Sequence, residues 1–407
     1  MSGKTRRIGI YGGTFDPIHT GHMAAARGAC QALGLDRLLL IPDGTPPHKE
    51  LAEGSATPGD RLEMARIAAD RLGAKCPVEV LDIEQSRAGK SYTCDTLRAL
   101  RQRYPRDELW LLMGTDMFLT LHQWREPETI CALAGICAFG RSAGDGKDTF
   151  APQKRRLKER YGARVKIIGL PDLVEVSSTQ LRAALAAGER PDALDESVYG
   201  YILRRRLYGT RADLTRLGWD DLRACSYSMI RAKRIPHVWG CEEEAVRLAR
   251  RWGANPDDAR AAAILHDCTK YLNLEEQLSL CEKYGILLDD MERVTLKLLH
   301  AKTGAAIAGE EYGMSEAICS AIYYHTTGRA DMTQLEKILY IADYMEPSRD
   351  FDGVERLREL VYRDLDAAVR LGLEMTIEEM KGYGSPVHEK TLEALDFLRK
   401  EQKKNNG

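Results

Sequence analysis

Two folds in succession are predicted along this chain: an α/β doubly wound parallel sheet, then an all-α unit. Three observations predict them. Six short apolar runs alternate with helical patterns in the first half, and no alternating strand pattern appears after residue 225. The length of 407 residues also exceeds what one hydrophobic core usually serves.

The runs are RRIGIYGG (6–13), RLLLIP (37–42), VEVLDIE (78–84), ELWLLMG (108–114), AGICAFGR (134–141) and RVKIIGLP (164–171). They are aliphatic or β-branched and bounded by Gly or Pro, as buried parallel strands tend to be. Helical patterns such as HMAAARGACQALG and RLEMARIAADRLG lie between them. Such alternation means βαβ units, whose ligands bind beyond the carboxyl ends of the strands at the topological switch point. The loop after the first strand is where chemistry is expected. From about residue 212 the segments EEEAVRLARRWG, PDDARAAAILHDCTK, SEAICSAIYYH and LEKILYIADYM show the i, i+3, i+4 spacing of amphipathic helices. The predicted domains are 1–210 and 223–407, with a polar, Gly-containing linker over 211–222. The tail KEQKKNNG is expected to be solvated and frayed.

With 44% hydrophobic and 29% charged residues the composition is that of an ordinary globular protein. Lys+Arg (59) nearly balances Asp+Glu (61), so no global field points to nucleic acid or to a membrane. The N-terminus breaks at Gly12-Gly13 before a signal-peptide core could form, and no apolar run reaches the roughly 20 residues of a membrane span. Ten scattered cysteines without a C-x-x-C pair suit a reduced, cytoplasmic chain. A homo-oligomer is compatible with all of this.

The first strand runs into Gly12-Gly13-Thr14-Phe15-Asp16-Pro17-Ile18-His19-Thr20-Gly21-His22. Two glycines let the backbone turn tightly and approach a phosphate chain. A helix beginning near Thr20 points its positive end at the same place. His19 and His22, three apart, can both face one anion and neutralise charge building on a reacting phosphate. This string resembles the signature of the nucleotidyltransferase superfamily that includes nicotinate-nucleotide and pantetheine-phosphate adenylyltransferases. Its second signature resembles Ser177-Ser178-Thr179-Gln180-Leu181-Arg182, after the sixth strand. There Ser177 or Ser178 is expected to cap a helix on the sheet's other central strand, and Arg182 to clamp the ATP phosphates.

The resemblance implies a Rossmann-like fold. It also implies an ATP site of Gly12, Gly13, Thr14, Phe15, Asp16, His19, His22, Ser177, Ser178, Thr179 and Arg182, with His19, His22 and Arg182 catalytic and Mg2+ arriving with ATP. Further strings are similar to the nicotinate-nucleotide branch: Pro46-Pro47-His48-Lys49, Arg61-Leu62-Glu63-Met64, Ser91-Tyr92-Thr93-Cys94-Asp95-Thr96-Leu97 and Gly114-Thr115-Asp116 with Trp124. They imply that His48, Lys49, Thr93, Asp116 and Trp124 bind nicotinate mononucleotide, the indole stacking on the pyridine ring. Arg125 stands where that branch often has an aromatic, and Val176 and Leu181 where isoleucines are common. His122 reads as a surface residue.

The helical half places His237, His266-Asp267, His300, His325 and Asp343 in apolar helical patterns. Buried imidazoles and carboxylates are costly unless something pairs with them, and a divalent metal of the iron or manganese type would. Lys270, one turn after His266, is placed to meet a substrate phosphate. The order His … His-Asp … Asp resembles the HD superfamily of metal-dependent phosphohydrolases. Leu299-His300, Tyr324-His325-Thr326-Thr327-Gly328-Arg329, Ala342-Asp343-Tyr344 and Glu346-Pro347 are similar to its bacterial diadenosine tetraphosphatases, which release two ADP. That resemblance implies His237, His266, Asp267 and Asp343 as ligands of a first metal. Asp267 and Lys270 would be catalytic, and His300, His325, Thr326 and Arg329 would hold a second metal or the substrate phosphates. Arg329 and Arg349 are candidate phosphate clamps or surface ion-pair partners, and His388 reads as a surface residue. The expected partners are therefore ATP, nicotinate mononucleotide and diadenosine tetraphosphate. Two other readings remain: a pantetheine-phosphate adenylyltransferase in the first half, and a nucleotide-binding regulatory module, or hydrolase of another nucleotide, in the second.

Overall fold

The computed structural model of the chain describes residues 5–44, 53–87, 89–140, 147–170 and 176–405. Two compact units divide the chain between Ala212 and Asp213.

The first unit is built on β1 (Arg7–Gly13), β2 (Arg37–Pro42), β3 (Val78–Val80), β4 (Glu108–Gly114), β5 (Gly135–Phe139) and β6 (Val165–Ile168). All pair in parallel, in the order β3-β2-β1-β4-β5-β6. The chain winds outward from β1 to β3, then returns to the opposite side of β1 with β4. The switch point is therefore the crevice at the carboxyl ends of β1 and β4. Ile8, Ile10, Leu109, Leu111 and Ile136 pack with Leu97, Leu100, Phe118 and Phe150 in one buried core. Each such side chain contributes about 1.5–3 kcal/mol through burial.

The run 78–84 stops as a strand at Val80. Leu81 makes one more bond to Leu40, after which Ser86 N bonds Asp82 O and the chain turns. The Ser-Ser-Thr segment does follow the sixth strand, but β6 is the edge of the sheet, not a central strand. Its helix, Ser178–Ala186, reaches the crevice through contacts with the loop after β1 instead.

The second unit is helical, with no strand among its described residues. Its first helix, Trp219–Tyr227, begins within the stretch 211–222 read as linker. Five helices form its center: Ile235–Trp252, Pro256–Leu265, Leu296–Glu310, Glu316–Tyr324 and Gln334–Met345, packed against one another. Asn255, Ser315 and Thr333 cap three of them by accepting backbone N–H bonds, each contributing about 1 kcal/mol. Among the described residues no helix is long and apolar enough to cross a membrane. Nine of the ten cysteines are buried, as the small apolar thiols expected from the sequence would be.

Candidate active sites

In the first unit a cavity of about 360 Å3 opens at the switch point. Gly12, Gly13, Thr14, Phe15, Asp16, His22, Ser178 and Arg182, gathered by the loop after β1 and its contacts, line it, and so do Tyr92, Thr93, Met117, Trp124 and Arg125, among which Arg125 lies over Tyr92. The glycines act differently from expectation. Both remain in β1, opposite Ile41 and Pro42 of β2, and it is Phe15 that takes a left-handed φ of 49°. A Cβ on Gly13 would lie 3.1 Å from the Phe15 ring, so glycine there makes room for the turn. The Phe15 ring is held edge-on by Tyr11 at 5.6 Å and by His22 at 5.1 Å.

The helix Thr20–Leu33 starts where expected, with His19 at its N-cap. The His19 and His22 rings lie 3.7 Å apart. His19 N donates to His22 Nδ1 at 3.3 Å, so a neutral His22 carries its proton on Nε2, a donor suited to a phosphate oxygen. His19 itself is buried. Ser177 occupies the N-cap of the second-signature helix, but its side chain makes no capping bond. Ser178 Oγ contacts Pro17 O at 3.5 Å instead, and Thr179 Oγ1 accepts from Arg182.

Asp16 does structural work. Its Oδ1 accepts from Ala56 N at 3.0 Å and from Tyr208 Oη at 2.7 Å. Its Oδ2 pairs with Arg182 at 3.6 Å, while Arg182 Nη1 donates 2.7 Å to the Asp16 carbonyl. Burial and this carboxylate push the Tyr208 hydroxyl up, so it stays a donor. Arg61, wholly buried, bridges the ends of β1 and β2 by donating to Thr14 O, Asp43 Oδ1 and Gly44 O. Neither Arg61 nor Tyr208 was assigned from sequence. A signal existed for the first: Arg61, Met64, Ala65 and Ala68 form one buried helical stripe, in which an arginine is out of place.

Of the residues implied for the acceptor nucleotide, Thr93 and Trp124 line the cavity. Asp116 stands exposed on the first turn of Thr115–Thr120, beside the lining residues Gly114 and Met117. His48 and Lys49, with Pro46 and Pro47, lie outside the described residues. His122 has no place in the lining and bonds Gln153 and Arg156.

In the second unit the structure brings six side chains together from five helices or their ends. His237 Nε2 lies 2.9 Å from Asp343 Oδ1 and 3.3 Å from His266 Nε2. His300 Nε2 lies 3.2 Å from Asp267 Oδ1 and 3.2 Å from His325 Nε2. All four imidazoles and Asp267 are buried. Their outer nitrogens fix their tautomers. His237 Nδ1 faces Glu346 Oε1 at 3.0 Å, His266 Nδ1 faces Ala263 O at 2.7 Å, and His325 Nδ1 faces Ile322 O at 2.6 Å. A carbonyl only accepts and a carboxylate accepts when ionised, so each of these three Nδ1 atoms carries hydrogen, and a neutral ring then turns the Nε2 lone pair inward.

Two such lone pairs 3.3 Å apart cannot bond each other, whereas a cation between them satisfies both. Asp267 and Asp343 add carboxylates. The clusters His237, His266, Asp343 and His266, Asp267, His325 each bring ligand atoms within 4.8 Å of one another. This donor set fits a divalent transition metal.

Among themselves the same groups pair as ions: burial lowers His237, but bonds to Asp343 and Glu346 outweigh it and raise it, a tendency that a bound cation would reverse. Burial pushes the Asp267 carboxyl up, but His266, His300 and Lys270 outweigh it and hold it well below the usual range. Asp343 is likewise held well below, with bonds from His237 and His266 outweighing burial. Burial lowers His300 and His325, keeping both neutral. Lys270 Nζ lies 3.2 Å from Asp267 and 3.3 Å from His300, and Arg349 lies 2.9 Å from Asp343. Arg234, not singled out in the sequence, lies 2.5 Å from Asp267 and 3.7 Å from Asp343.

Of the two roles read for it, phosphate clamp or ion-pair partner, Arg329 takes the second. It donates to Glu336 and to Ala330 O and lies over the Tyr324 ring, because an acid one turn into the next helix captures it. Thr326 lines a separate cavity with Lys302, Tyr323 and His388. His388 is not a surface residue: its Nε2 faces Asp289 at 3.3 Å and Glu292 at 3.5 Å, and its Nδ1 accepts from Lys390 N at the start of the C-terminal helix.

Residues 10–184 match the cytidylyltransferase-like family model, and residues 234–348 match the HD domain model. The chain is similar to the probable nicotinate-nucleotide adenylyltransferase of Desulfitobacterium hafniense strain Y51. The two are 37% identical over 209 residues, which cover 51% of this chain and 98% of that one. It is 39% identical over 211 residues to the probable enzyme of that name from Gloeobacter violaceus, again covering 51% and 98%. A solved structure described as a predicted HD superfamily hydrolase involved in NAD metabolism, from Clostridium acetobutylicum, is also similar. It is 35% identical, covers 46% of this chain and 98% of that chain, and superposes with a TM-score of 0.44.

Proposed function

The chain belongs to the nicotinate-nucleotide adenylyltransferase family through its first half, and we propose that it is a cytoplasmic enzyme with two activities. The first unit transfers the adenylyl group of ATP to nicotinate mononucleotide, giving nicotinate adenine dinucleotide and pyrophosphate. The second is a metal-dependent hydrolase that cuts diadenosine tetraphosphate symmetrically into two ADP.

The observation that carries the first reading is one cavity that His22, Arg182 and Trp124 all line. The acceptor phosphate attacks the α-phosphorus of ATP in line, and pyrophosphate leaves with the Mg2+ that accompanied ATP. His22 Nε2–H donates to the reacting phosphate, His19 supports its ring, and Arg182 adds a guanidinium held by the Asp16 carbonyl. The similarity to nicotinate-nucleotide enzymes favors that acceptor over phosphopantetheine.

The second reading rests on the inward-facing Nε2 atoms of His237, His266 and His325 beside the buried Asp267 and the half-buried Asp343. His237, His266, Asp267 and Asp343 would hold a first divalent ion, and His300 and His325 a second ion or the substrate phosphates. A bound ion of the iron or manganese type supplies Lewis acidity and lowers the pKa of water. Asp267 fixes His300 and Lys270, and Lys270 and Arg349 bring positive charge toward the phosphates. Adenylyl-transferring enzymes can form dinucleoside polyphosphates when ATP acts as acceptor, and a hydrolase on the same chain would clear them.

Purified chain should convert ATP and nicotinate mononucleotide to the dinucleotide, and His22→Ala should lower kcat about 10²- to 10³-fold. Transfer to phosphopantetheine instead would replace this reading by the pantetheine one. Incubated with diadenosine tetraphosphate, it should release ADP alone and stop on chelation. No turnover with iron, manganese or cobalt supplied would leave the helical unit as a regulatory module or a hydrolase of another nucleotide.

A further inference from the structure

The cavity of the first unit carries charge unevenly. Among the described lining residues its arginines are two, Arg182 and Arg125. Arg182 is bound to the loop after β1 through the Asp16 carbonyl and carboxylate, and His22 lines the cavity with it. Arg125 follows Trp124 directly, and its guanidinium lies over the Tyr92 ring at 4.5 Å.

That contact holds the guanidinium against an aromatic face, and its N–H groups can form a bidentate pair with a carboxylate. Its neighboring carboxylate, Glu126, is 3.9 Å away and is held from other directions by Arg98 and by Thr129 at 3.0 Å. The other acids of the lining are engaged. Asp43 faces Arg61 at 2.7 Å, and Asp16 is bound by Tyr208 and Arg182. Glu84 accepts from Thr96 at 2.7 Å and is raised toward neutrality by burial. Arg125 is therefore the cation presented to the cavity beside Trp124.

Trp124 offers an aromatic face there as well. Tyr11 and Phe15 are buried and packed edge-to-face with each other. Trp124 is only partly buried, and the Arg125 guanidinium already lies over Tyr92, so a flat ring entering the cavity meets the indole with Arg125 at hand.

We infer that Arg125 selects the acceptor by pairing with a carboxylate on its aromatic ring, so that the acidic mononucleotide is used in preference to its neutral amide. This rests on the adenylyltransferase reading above. An amide presents no charge to Arg125, and its NH2 is a donor facing a donor.

The test compares kcat/KM for nicotinate mononucleotide and nicotinamide mononucleotide in wild type, Arg125→Gln and Arg125→Lys. Wild type should favor the acid. Arg125→Gln should reduce that preference by about 10- to 100-fold, chiefly through KM for the acid, and Arg125→Lys should restore part of it. The amide rate of each variant reports on its folding. An unchanged acid-to-amide ratio in active Arg125→Gln overturns the inference and leaves the adenylyltransferase reading standing. Inactivity of wild type on both mononucleotides overturns the two together.

Discussion

The two candidate sites handle buried charge in opposite ways. In the first unit the buried charges meet partners within the protein: Arg61 donates through its two Nη atoms to Asp43 and two carbonyls, and Asp16 pairs with Ala56, Tyr208 and Arg182. These pairs shape a loop, and the groups left to act face an open cavity. In the second unit the acting groups are themselves the buried ones. The Nε2 atoms of His237 and His266 lie 3.3 Å apart, and Asp267 meets two imidazoles, Lys270 and Arg234. The first arrangement pairs its charges without a ligand. In the second the Nε2 atoms of His237 and His266 face each other, and a cation would satisfy both, so folding and metal binding should be linked there.

The largest expected effect follows from that difference. Asp267→Asn removes a charge around which His266, His300 and Lys270 are arranged. Hydrolysis of diadenosine tetraphosphate should fall about 10³-fold or more, while adenylyl transfer by the same preparation stays within about twofold of wild type. Parallel assays of both activities check this, and hydrolysis retained within tenfold would remove Asp267 from the reacting center. A smaller effect is expected at Glu346, which receives Nδ1–H of His237 and is itself bound by Ser348. Glu346→Gln should weaken metal affinity about 10- to 100-fold by loosening the tautomer and orientation of His237. Competition against a chromophoric chelator measures it, and unchanged affinity would reduce Glu346 to a space-filling role.

What was legible from sequence depended on whether the determinants were local. β1 and β4 were read within a residue or so, because a buried central strand is apolar along its whole length. β3, an edge strand with one neighbor, ended three residues after it began, and nothing in VEVLDIE marks that stop. His19 and His22 were found because they are contiguous with a glycine-rich strand end. The six residues of the helical center were found because polar groups recur in apolar helical patterns. Long-range polar pairing was not legible. Tyr208 and Asp16 are 192 residues apart, and Glu346 and His237 are 109 apart. Arg329 was read as a phosphate clamp or an ion-pair partner, and only packing beside Glu336 decides between the two. Periodicity reports which face of an element is buried, and it does not report which partner a buried polar atom meets.

The smallest expected effect concerns the sign of a carboxyl shift. Asp267 and Asp343 are held low because bonds from the surrounding imidazoles, with Lys270 at Asp267, outweigh burial, whereas Glu84, in the lining of the adenylyl-transfer cavity, is pushed up by burial. A bond from Thr96 and the Arg87 charge offset this only in part, and the Asp43 charge adds to the rise. The folded value therefore lies above the ordinary glutamate value of about 4.3. Its stabilising contribution is complete below that ordinary value and is lost as pH rises through the folded value. Glu84→Gln keeps an acceptor for Thr96 and removes the titration. The variant should gain on wild type between pH 4 and the folded value of Glu84, with the difference constant above it. Urea unfolding of both proteins at about pH 5 and pH 8 reads the change. Groups common to the two proteins cancel in the comparison. A difference that narrows with rising pH would place a cation against Glu84, and would make the lining of this cavity more like the helical center than the structure shows.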